Sequence, residues 1–110
     1  ISSNDAANYP EDSFDKMRLV AEQFKFPFPY LYDESQSVAK AYGAVCTPDF
    51  FGFNANLELQ YRGRFDDQGR DLTPKDNATK DLLEAMTLVA QTGQGPAEQI
   101  SSIGCSIKWK

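Results

Sequence analysis

The stretch from Val45 to Gly63 constrains the fold of this chain more than any other part of it. Its second half alternates apolar and polar side chains, as a strand with one buried face requires. The alternating residues are Leu57, Leu59 and Tyr61 on one side and Glu58, Gln60 and Arg62 on the other. Its first half is the aromatic run Phe50–Phe53, and the turn-forming Asn54-Ala55-Asn56 lies between the halves. The pattern predicts an antiparallel hairpin whose two asparagines supply left-handed turn geometry.

Cys46-Thr47-Pro48 stands directly ahead of this hairpin. A proline at the mouth of a strand gives up a donor that the ladder does not need there. It also holds the preceding residue, Thr47, in an extended conformation. The residues alone leave open whether Pro48 does more than begin an edge strand.

The first predicted helix precedes the hairpin. Pro10 suits its first turn, Ser13 is a good N-cap, and Pro27 and Pro29 prevent the helix from continuing. A short strand, residues 30–32, is predicted after the prolines. The predicted inward stripe of the helix is Phe14, Met17, Val20, Ala21 and Phe24.

Two more helices are predicted, one on each side of the hairpin. Asp33 caps the second helix, Gln36 completes a variant of the capping box, and Gly43 ends the helix. Its inward stripe is Val38, Ala41 and Tyr42. The third helix runs from about Ala78 to a terminator at Gly93. Its stripe, which should cover one sheet face, is Leu82, Ala85, Met86 and Val89, with Leu83 beside it.

The remaining segments are a loop and a tail. Residues 64–77 are rich in charge, glycine and proline, and the spacing of Asp66, Asp67 and Asp71 does not follow the calcium-loop pattern. We therefore expect a solvated loop without a metal. The alternating apolar residues of the tail are Ile103, Cys105, Ile107 and Trp109. The tail is expected to lie as a strand or to dock its tryptophan on the domain.

Composition limits the class of protein. A chain of 110 residues with 41% apolar and 25% charged residues supports one globular domain, which we divide into residues 1–92 and a C-terminal tail, residues 93–110. A net charge of −5 disfavours a nucleic-acid partner, and the lack of histidine removes most catalytic zinc ligand sets. No apolar run predicts a membrane span. We expect a soluble protein without cofactor or metal, and the cytoplasm is slightly favoured.

Several segments together resemble a known family. Val45-Cys46-Thr47-Pro48, followed by the hairpin, resembles the cis-proline loop of the thioredoxin-like fold. Four further segments, in the same order, resemble peroxiredoxin-like thiol-disulfide proteins of the branch named for alkyl hydroperoxide reductase and thiol-specific antioxidant. They are the segments 9–13, 28–33, 39–43 and 103–109.

The resemblance implies the fold class and the activity. The fold would be α/β, a thioredoxin-like mixed sheet flanked by helices, with the N-terminal strand-helix unit absent. In the family a segment like Ile1–Asp5 ends an internal strand, and the Cys-x-x-Cys pair lies upstream of it. The chain would then be the C-terminal portion of a thiol-disulfide oxidoreductase or peroxidase, and it would be inactive alone.

The resemblance also implies site residues. In the family this loop packs against the redox cysteines and presents backbone groups to the substrate, which makes Thr47 and Pro48 the substrate-binding candidates. Cys46 is either a catalytic thiol near the redox centre or a small buried hydrophobe, and the frequent burial of free cysteines favours the second interpretation. The alternation around Cys105 indicates packing. A disulfide between Cys105 and either Cys46 or an upstream cysteine stays open.

The sequence leaves three functions as alternatives. The first is the oxidoreductase portion, with protein thiols or disulfides, or a peroxide, as its partners. The second is a non-catalytic thioredoxin-like interaction module. The third is a single-strand nucleic-acid binder that stacks bases on Phe50, Phe51 and Phe53. The negative charge of Asp49 and of the whole chain disfavours this third function. A strand edge exposed by a missing central strand predicts self-association, or retention of an N-terminal fragment of the same protein.

Overall fold

The computed structural model of the chain describes residues 1–68 and 77–110. The chain forms two compact units. The first comprises Ile1–Val45 and Ser106–Lys110, and the second comprises Cys46–Cys105. The boundary drawn from the sequence between residues 92 and 93 falls inside the second unit, because the residues that follow Gly93 pack along the hairpin.

The helices of the first unit begin and end close to where the sequence predicts. A 3-10 helix, Pro10–Asp12, has proline at its start. The first α-helix, α1, spans Phe14–Gln23, and Ser13 caps it by accepting a hydrogen bond from a first-turn N–H at 3.3 Å. The second, α2, spans Ser37–Tyr42 and ends at Gly43, whose φ of 68° suits glycine. Both predicted helices are confirmed.

The inward stripe predicted for α1 is wrong in most of its members. Met17 is buried and Ala21 is partly covered, but Phe14, Val20 and Phe24 are exposed. A unit this small holds too few elements to cover a whole helix face, so α1 is covered along one narrow line only.

The strand predicted at residues 30–32 is reduced to one bridge. Ser2 and Tyr32 pair in the parallel direction. The backbone N–H of Ser2 donates to Leu31 O at 2.9 Å, and that of Asp33 donates to Ser2 O at 2.8 Å. The residues around Ser2 therefore run alongside residues 31–33.

The inward side of α2 also differs from the prediction. Ala39 is buried, whereas Val38, Ala41 and Tyr42 are exposed. Gln36 adopts a left-handed conformation with φ 65° immediately before the helix. The apolar spacing along the sequence does not show which side of so short a helix other elements cover.

Asp33 is the polar centre of the first unit. Its carboxylate is 8% exposed and accepts hydrogen bonds from Ser3 Oγ at 2.7 Å and from the N–H groups of Val38 and Ala39 at 3.3 and 3.0 Å. Its side chain therefore satisfies two first-turn N–H groups of α2, as predicted for a cap, although the N-cap position itself is occupied by Gln36. Burial by itself raises the pKa of Asp33, but the hydrogen bonds from Ala39, Ser3 and Val38 outweigh it and leave the pKa below its usual range.

Gln36 does not complete a capping box. It is 2% exposed, and its Nε2 donates to the carbonyls of Ser3 and Lys108 at 2.8 and 2.9 Å. Its Oε1 accepts from the N–H of the last residue at 3.2 Å. Gln36 thus joins the two ends of the chain within this unit. The tail docks through Ile107, which is 5% exposed, rather than through Trp109.

The second unit contains the predicted hairpin. Strands β2 (Phe50–Phe53) and β3 (Leu59–Gly63) pair antiparallel. Their register shifts between Gly52 and Phe53, so Gln60 is an extra residue that forms a bulge in β3. The hairpin itself is confirmed.

The apolar face predicted for β3 is only partly right. Tyr61 is 2% exposed, but Leu59 is 49% exposed and Leu57 is 83% exposed. The bulge turns the strand between Leu59 and Tyr61, and Leu57 belongs to the turn. Leu57, rather than either asparagine, takes the left-handed conformation, with φ 60°. Asn54 organises this turn, because its Oδ1 accepts from two N–H groups of the turn at 3.0 Å each.

Helix α3 spans Asp81–Thr92 and packs on the hairpin. Its predicted stripe is confirmed, with Ala85 and Val89 buried and Leu82 and Met86 partly covered. Leu83, which the sequence placed beside the stripe, is 61% exposed. Gly93 ends the helix with φ 77°.

Polar contacts fasten α3 at both ends. Near its start, Arg64 forms an ion pair with Asp81. At its end, Asn54 Nδ2 donates to Gly93 O at 2.9 Å. Between them, Gly52 lies so close to α3 that a Cβ there would overlap Met86 Sδ. The helix therefore lies directly on the hairpin backbone.

Residues after α3 cover the outer edge of β3. Gln99 Oε1 accepts from the N–H of Arg62 at 2.9 Å, and Gln99 Nε2 donates to Gln60 O at 2.9 Å. One side-chain amide thus takes the place of a neighbouring strand. The N–H of Arg64 donates to Ile100 O at 2.9 Å, which continues the cover.

Two further strands complete the described secondary structure. β1 (Cys46–Thr47) and β4 (Cys105–Ser106) form a second two-stranded sheet. The architecture is a small mixed α/β arrangement of helices and two short sheets. The single mixed sheet expected from the sequence is not formed by the described residues, because their strands are short and pair only two by two.

No helix within residues 1–68 and 77–110 has both the length and the apolar composition that crossing a bilayer takes.

Candidate functional site

The loop from Cys46 to Asp49 is the candidate site, because it holds every residue that the sequence nominated. Thr47 and Pro48 are exposed, and the peptide bond between them is cis, which is the geometry implied by the resemblance. Cys46 and Asp49 are partly buried. The loop therefore presents its two central residues to solvent.

The Cys46 thiol faces backbone carbonyls. Its Sγ lies 3.6 Å from Pro48 O and 3.9 Å from Ser102 O, and both oxygens can accept a weak hydrogen bond from the thiol. Burial, and after it the nearby Asp49 carboxylate, raise the pKa of Cys46, while Arg62 opposes them only in part. A raised pKa lowers the thiolate fraction at neutral pH. Cys46 is thus a poor nucleophile in this position. The sequence favoured a fully buried cysteine, whereas Cys46 is partly buried.

Asp49 connects the loop to the hairpin. Its side chain is 6% exposed, and its Oδ2 lies 3.5 Å from Arg62 Nη2 in an ion pair. Its Oδ1 lies 3.1 Å from the hydroxyl of Ser102. Two partners from different parts of the second unit therefore hold this carboxylate beside Cys46.

The three aromatic rings of β2 are partly covered. The Arg62 guanidinium lies 5.0 Å from the centre of the Phe51 ring, and Phe50 packs on Phe65 with ring centres 5.5 Å apart. Contacts within the unit thus already use two of the rings that the nucleic-acid hypothesis assigns to base stacking.

The Ser102–Cys105 segment lines the loop. Ser102 accepts the weak hydrogen bond from Cys46, and its hydroxyl lies near both Asp49 and Gly63 O, the latter at 2.6 Å. Thr47 Oγ1 donates to Cys105 O at 3.4 Å. Gly104 lies so close that a Cβ there would overlap the Thr47 carbonyl oxygen.

Cys105 is exposed, so the packing role predicted from its alternation is wrong. Both cysteines lie in the described ranges, and neither takes part in a disulfide. A link between Cys105 and a cysteine upstream of Ile1 stays a prediction.

Among the described residues, no group of three or more His, Cys, Asp or Glu side chains could hold a metal ion. Asp66 accepts a hydrogen bond from the N–H of Gln68 at 3.0 Å, and Asp67 pairs with Arg64 at 3.4 Å. Asp71, the third member of the acidic cluster noted in the sequence, lies outside the described residues.

Sequence reasoning found Cys46, Thr47 and Pro48 but missed the residues that surround them. Ser102 and Gly104 lie more than fifty positions further along the chain and carry no local signal of a contact with the loop. Gly104 does fall within a segment that the resemblance covers, which was the one available hint.

No protein-family model matches the chain, and no curated protein matches it. Among the solved structures that match the chain, two are similar to it over 98% of its length. An uncharacterized conserved protein from Geobacillus kaustophilus is 50% identical, with a TM-score of 0.84. A hypothetical protein from Sinorhizobium meliloti 1021 is 44% identical, with a TM-score of 0.89. The chain spans 57% and 58% of the length of these two neighbours, respectively.

Proposed function

We propose that this chain is the C-terminal portion of a thioredoxin-like thiol-disulfide oxidoreductase, in the peroxiredoxin-like branch named for alkyl hydroperoxide reductase and thiol-specific antioxidant. The observation that carries the proposal is the order of elements around the loop. The parallel Ser2–Tyr32 bridge precedes α2, the exposed Thr47–Pro48 loop follows, and the β2–β3 hairpin leads into α3. This order is what the resemblance implies for a thioredoxin-like chain without its first strand-helix unit.

The environment of the cysteines supports placing the nucleophile outside this sequence. The pKa of Cys46 is raised by burial and by Asp49, which is the opposite of what an attacking thiol requires. Both solved neighbours contain polypeptide beyond the part that this chain matches. We assign the redox nucleophile to a cysteine upstream of Ile1.

The proposed chemistry is attack by that thiolate on an S–S or O–O bond. With a disulfide, the thiolate sulfur forms a mixed disulfide and the other sulfur leaves as a thiolate. With a peroxide, the thiolate takes one oxygen and becomes a sulfenic acid, and the second oxygen leaves as an alkoxide or hydroxide that takes up a proton. Thr47 and Pro48, which are exposed, bind and orient the substrate.

The test compares two proteins, the 110-residue chain and the complete gene product that contains this sequence. Insulin reduction and peroxide turnover are measured for both with a small dithiol added as the reductant, which returns the oxidised cysteine to the thiol after each cycle. We expect turnover by the complete product and only background rates for the 110-residue chain. Equal activity of the two proteins would refute the placement of the nucleophile.

A matched pair of substitutions tests the substrate-binding role of the loop. Thr47→Arg puts bulk and charge on the exposed loop, and we expect it to raise KM in the complete gene product. Thr87→Arg makes the same change at an exposed position of α3, where Thr87 Oγ1 donates to Leu83 O of the same helix. An equal effect of both substitutions on KM would remove Thr47 from the binding site.

The non-catalytic interaction module is the second candidate, and the raised pKa of Cys46 also favours it. It differs from the first only in what precedes Ile1. The amino-acid sequence of roughly thirty or more upstream residues, the length of a strand-helix unit, separates the two. A Cys-x-x-Cys pair there supports the oxidoreductase, and its absence supports the module.

Protein thiols or disulfides, peroxide, and an N-terminal fragment of the same protein remain the proposed partners. Self-association also stays a prediction, although Gln99 and Ile100 cover the outer edge of β3. Light scattering after size exclusion measures it directly, and a clean monomer contradicts it.

A further inference from the structure

We propose that the Ser102–Cys105 segment positions the Cys46–Asp49 loop, and that Gly104 is the central positioning residue. The consequence for substrate binding rests on the proposed function. The positioning itself rests on contacts within the second unit alone.

Gly104 is required because two stretches of backbone meet there. A Cβ at Gly104 would overlap the carbonyl group of Thr47 and would lie 3.3 Å from Pro48 N. These atoms are main-chain atoms of the loop and not the flexible end of a side chain, so they can give way only if the loop moves. Close backbone approach of this kind is where glycine serves in strands.

Ser102 joins the same loop to the hairpin. Its hydroxyl lies 2.6 Å from Gly63 O and 3.1 Å from Asp49 Oδ1, so the end of β3 and the end of the loop share one donor. Its carbonyl accepts from the Cys46 thiol. The hydrogen bond from Thr47 to Cys105 O adds a third contact.

These contacts involve three of the four loop residues through hydrogen bonds, and the fourth, Pro48, through its close approach to Gly104. The segment therefore fixes which atoms of Thr47 and Pro48 face solvent. It also keeps the Cys46 thiol directed at carbonyl oxygens. If the segment moves, the thiol gains exposure and the two central residues change position.

The first experiment measures alkylation of Cys46 by iodoacetamide, followed by intact mass, in the Cys105→Ser variant of the 110-residue chain, in which Cys46 is the one remaining thiol. Gly104→Ala should raise the alkylation rate about tenfold or more, because overpacking by one methyl group shifts conformational equilibria by about that factor. The control is Gly93→Ala. Gly93 lies in the same unit with φ 77° and has no atom within 4 Å of its Cβ position, so alanine strains the backbone without touching the loop.

A second pair of variants keeps the proposal testable if Gly104→Ala fails to fold. Ser102→Ala removes the shared hydroxyl, whereas Ser102→Thr retains it. We expect Ser102→Ala to raise the alkylation rate and to move its pH profile toward lower pH, because the thiol becomes better hydrated and Asp49 less tightly held. Ser102→Thr should restore the profile of the parent.

Kinetics of the complete gene product then test whether the position of the Cys46–Asp49 loop affects substrate binding. Gly104→Ala and Ser102→Ala should raise KM more than they lower kcat, and Gly93→Ala should not. If the complete product turns over no disulfide or peroxide, the proposed function fails, but the alkylation rates still decide the positioning role. Alkylation of Gly104→Ala and Ser102→Ala at the rate of Gly93→Ala would overturn the proposal.

Discussion

Replacing Asp33 by asparagine tests how the first unit is held together. The carboxylate accepts hydrogen bonds from Ser3 Oγ, Val38 N and Ala39 N while it is 8% exposed. An asparagine side chain would keep the shape and one acceptor oxygen, but its NH₂ group cannot accept. At least one donor then loses its partner, and a hydrogen bond to a charged group contributes about 1.5–3 kcal/mol. We expect Asp33→Asn to lower the free energy of unfolding by that amount at neutral pH.

The loss should depend on pH in a defined direction. Hydrogen bonds hold the pKa of Asp33 below the value of about 3.9 that an aspartate has in an unfolded chain. The unfolded state therefore binds the proton first as pH falls. The stabilisation is fully present above the unfolded pKa and is lost as pH falls through the lower folded pKa. The stabilities of the parent and of Asp33→Asn should converge in that acidic range.

Urea unfolding followed by tryptophan fluorescence measures this effect. Trp109 is the single tryptophan and belongs to the same unit as Asp33. With a loss of about 1.5–3 kcal/mol and an m-value of roughly 1–3 kcal/mol/M, the midpoint should fall by about 0.5–3 M urea at neutral pH. Asp15→Asn, at an exposed position in the first turn of α1, is the control, and it should cost at most about 1 kcal/mol. An unchanged midpoint for Asp33→Asn at neutral pH, or a gap that does not narrow as pH falls below the unfolded pKa of about 3.9, would refute the reasoning.

Three further predictions concern the second unit. Tyr61→Phe removes the hydroxyl that donates to Arg64 O at 2.6 Å and should cost about 1 kcal/mol in urea unfolding. Burial and, after it, Asp81 raise the pKa of Tyr61, so the free energy of unfolding of the parent should fall as pH rises above about 10. Tyr61→Phe should lack that part of the fall. The same decrease in unfolding free energy with pH for both proteins would contradict this. Gln99→Ala uncovers the outer edge of β3 and should increase the mass measured by light scattering through self-association. Gln91→Ala, on the exposed side of α3, is the control and should leave that mass unchanged. Identical masses for the two variants would show that the edge does not control association. Cys46, in a Cys105→Ser background, should react slowly with iodoacetamide until the pH exceeds about 8.5, and rapid reaction at neutral pH would contradict its raised pKa.

The local signals in the sequence were reliable where the physics is local. Ser13 and Asp33 cap the helices they precede, and Gly43 and Gly93 end helices with positive φ. Each of these depends on hydrogen bonds or backbone angles within a few residues. The stripe of α3 was also predicted correctly, because the hairpin that covers it follows a recognisable pattern of its own.

Burial was less predictable. The apolar periodicity of α1 predicted a buried stripe, but Phe14, Val20 and Phe24 are exposed. Periodicity shows which side of a helix is apolar, but coverage depends on how much surface the neighbouring elements supply. The bulge at Gln60 likewise made the burial in β3 differ from the prediction. One extra residue in the strand changes the direction of the side chains that come before it.

The amino-acid sequence by itself determined the helix ends, the hairpin and the loop that Thr47 and Pro48 form, because each follows from interactions between residues close together in the chain. Only the tertiary structure decided which groups surround that loop. Ser102 and Gly104 reach it from more than fifty residues away, and Asp49 pairs there with Arg62. The close approach at Gly104 depends on where two backbone segments meet in space, which spacing along the chain does not encode.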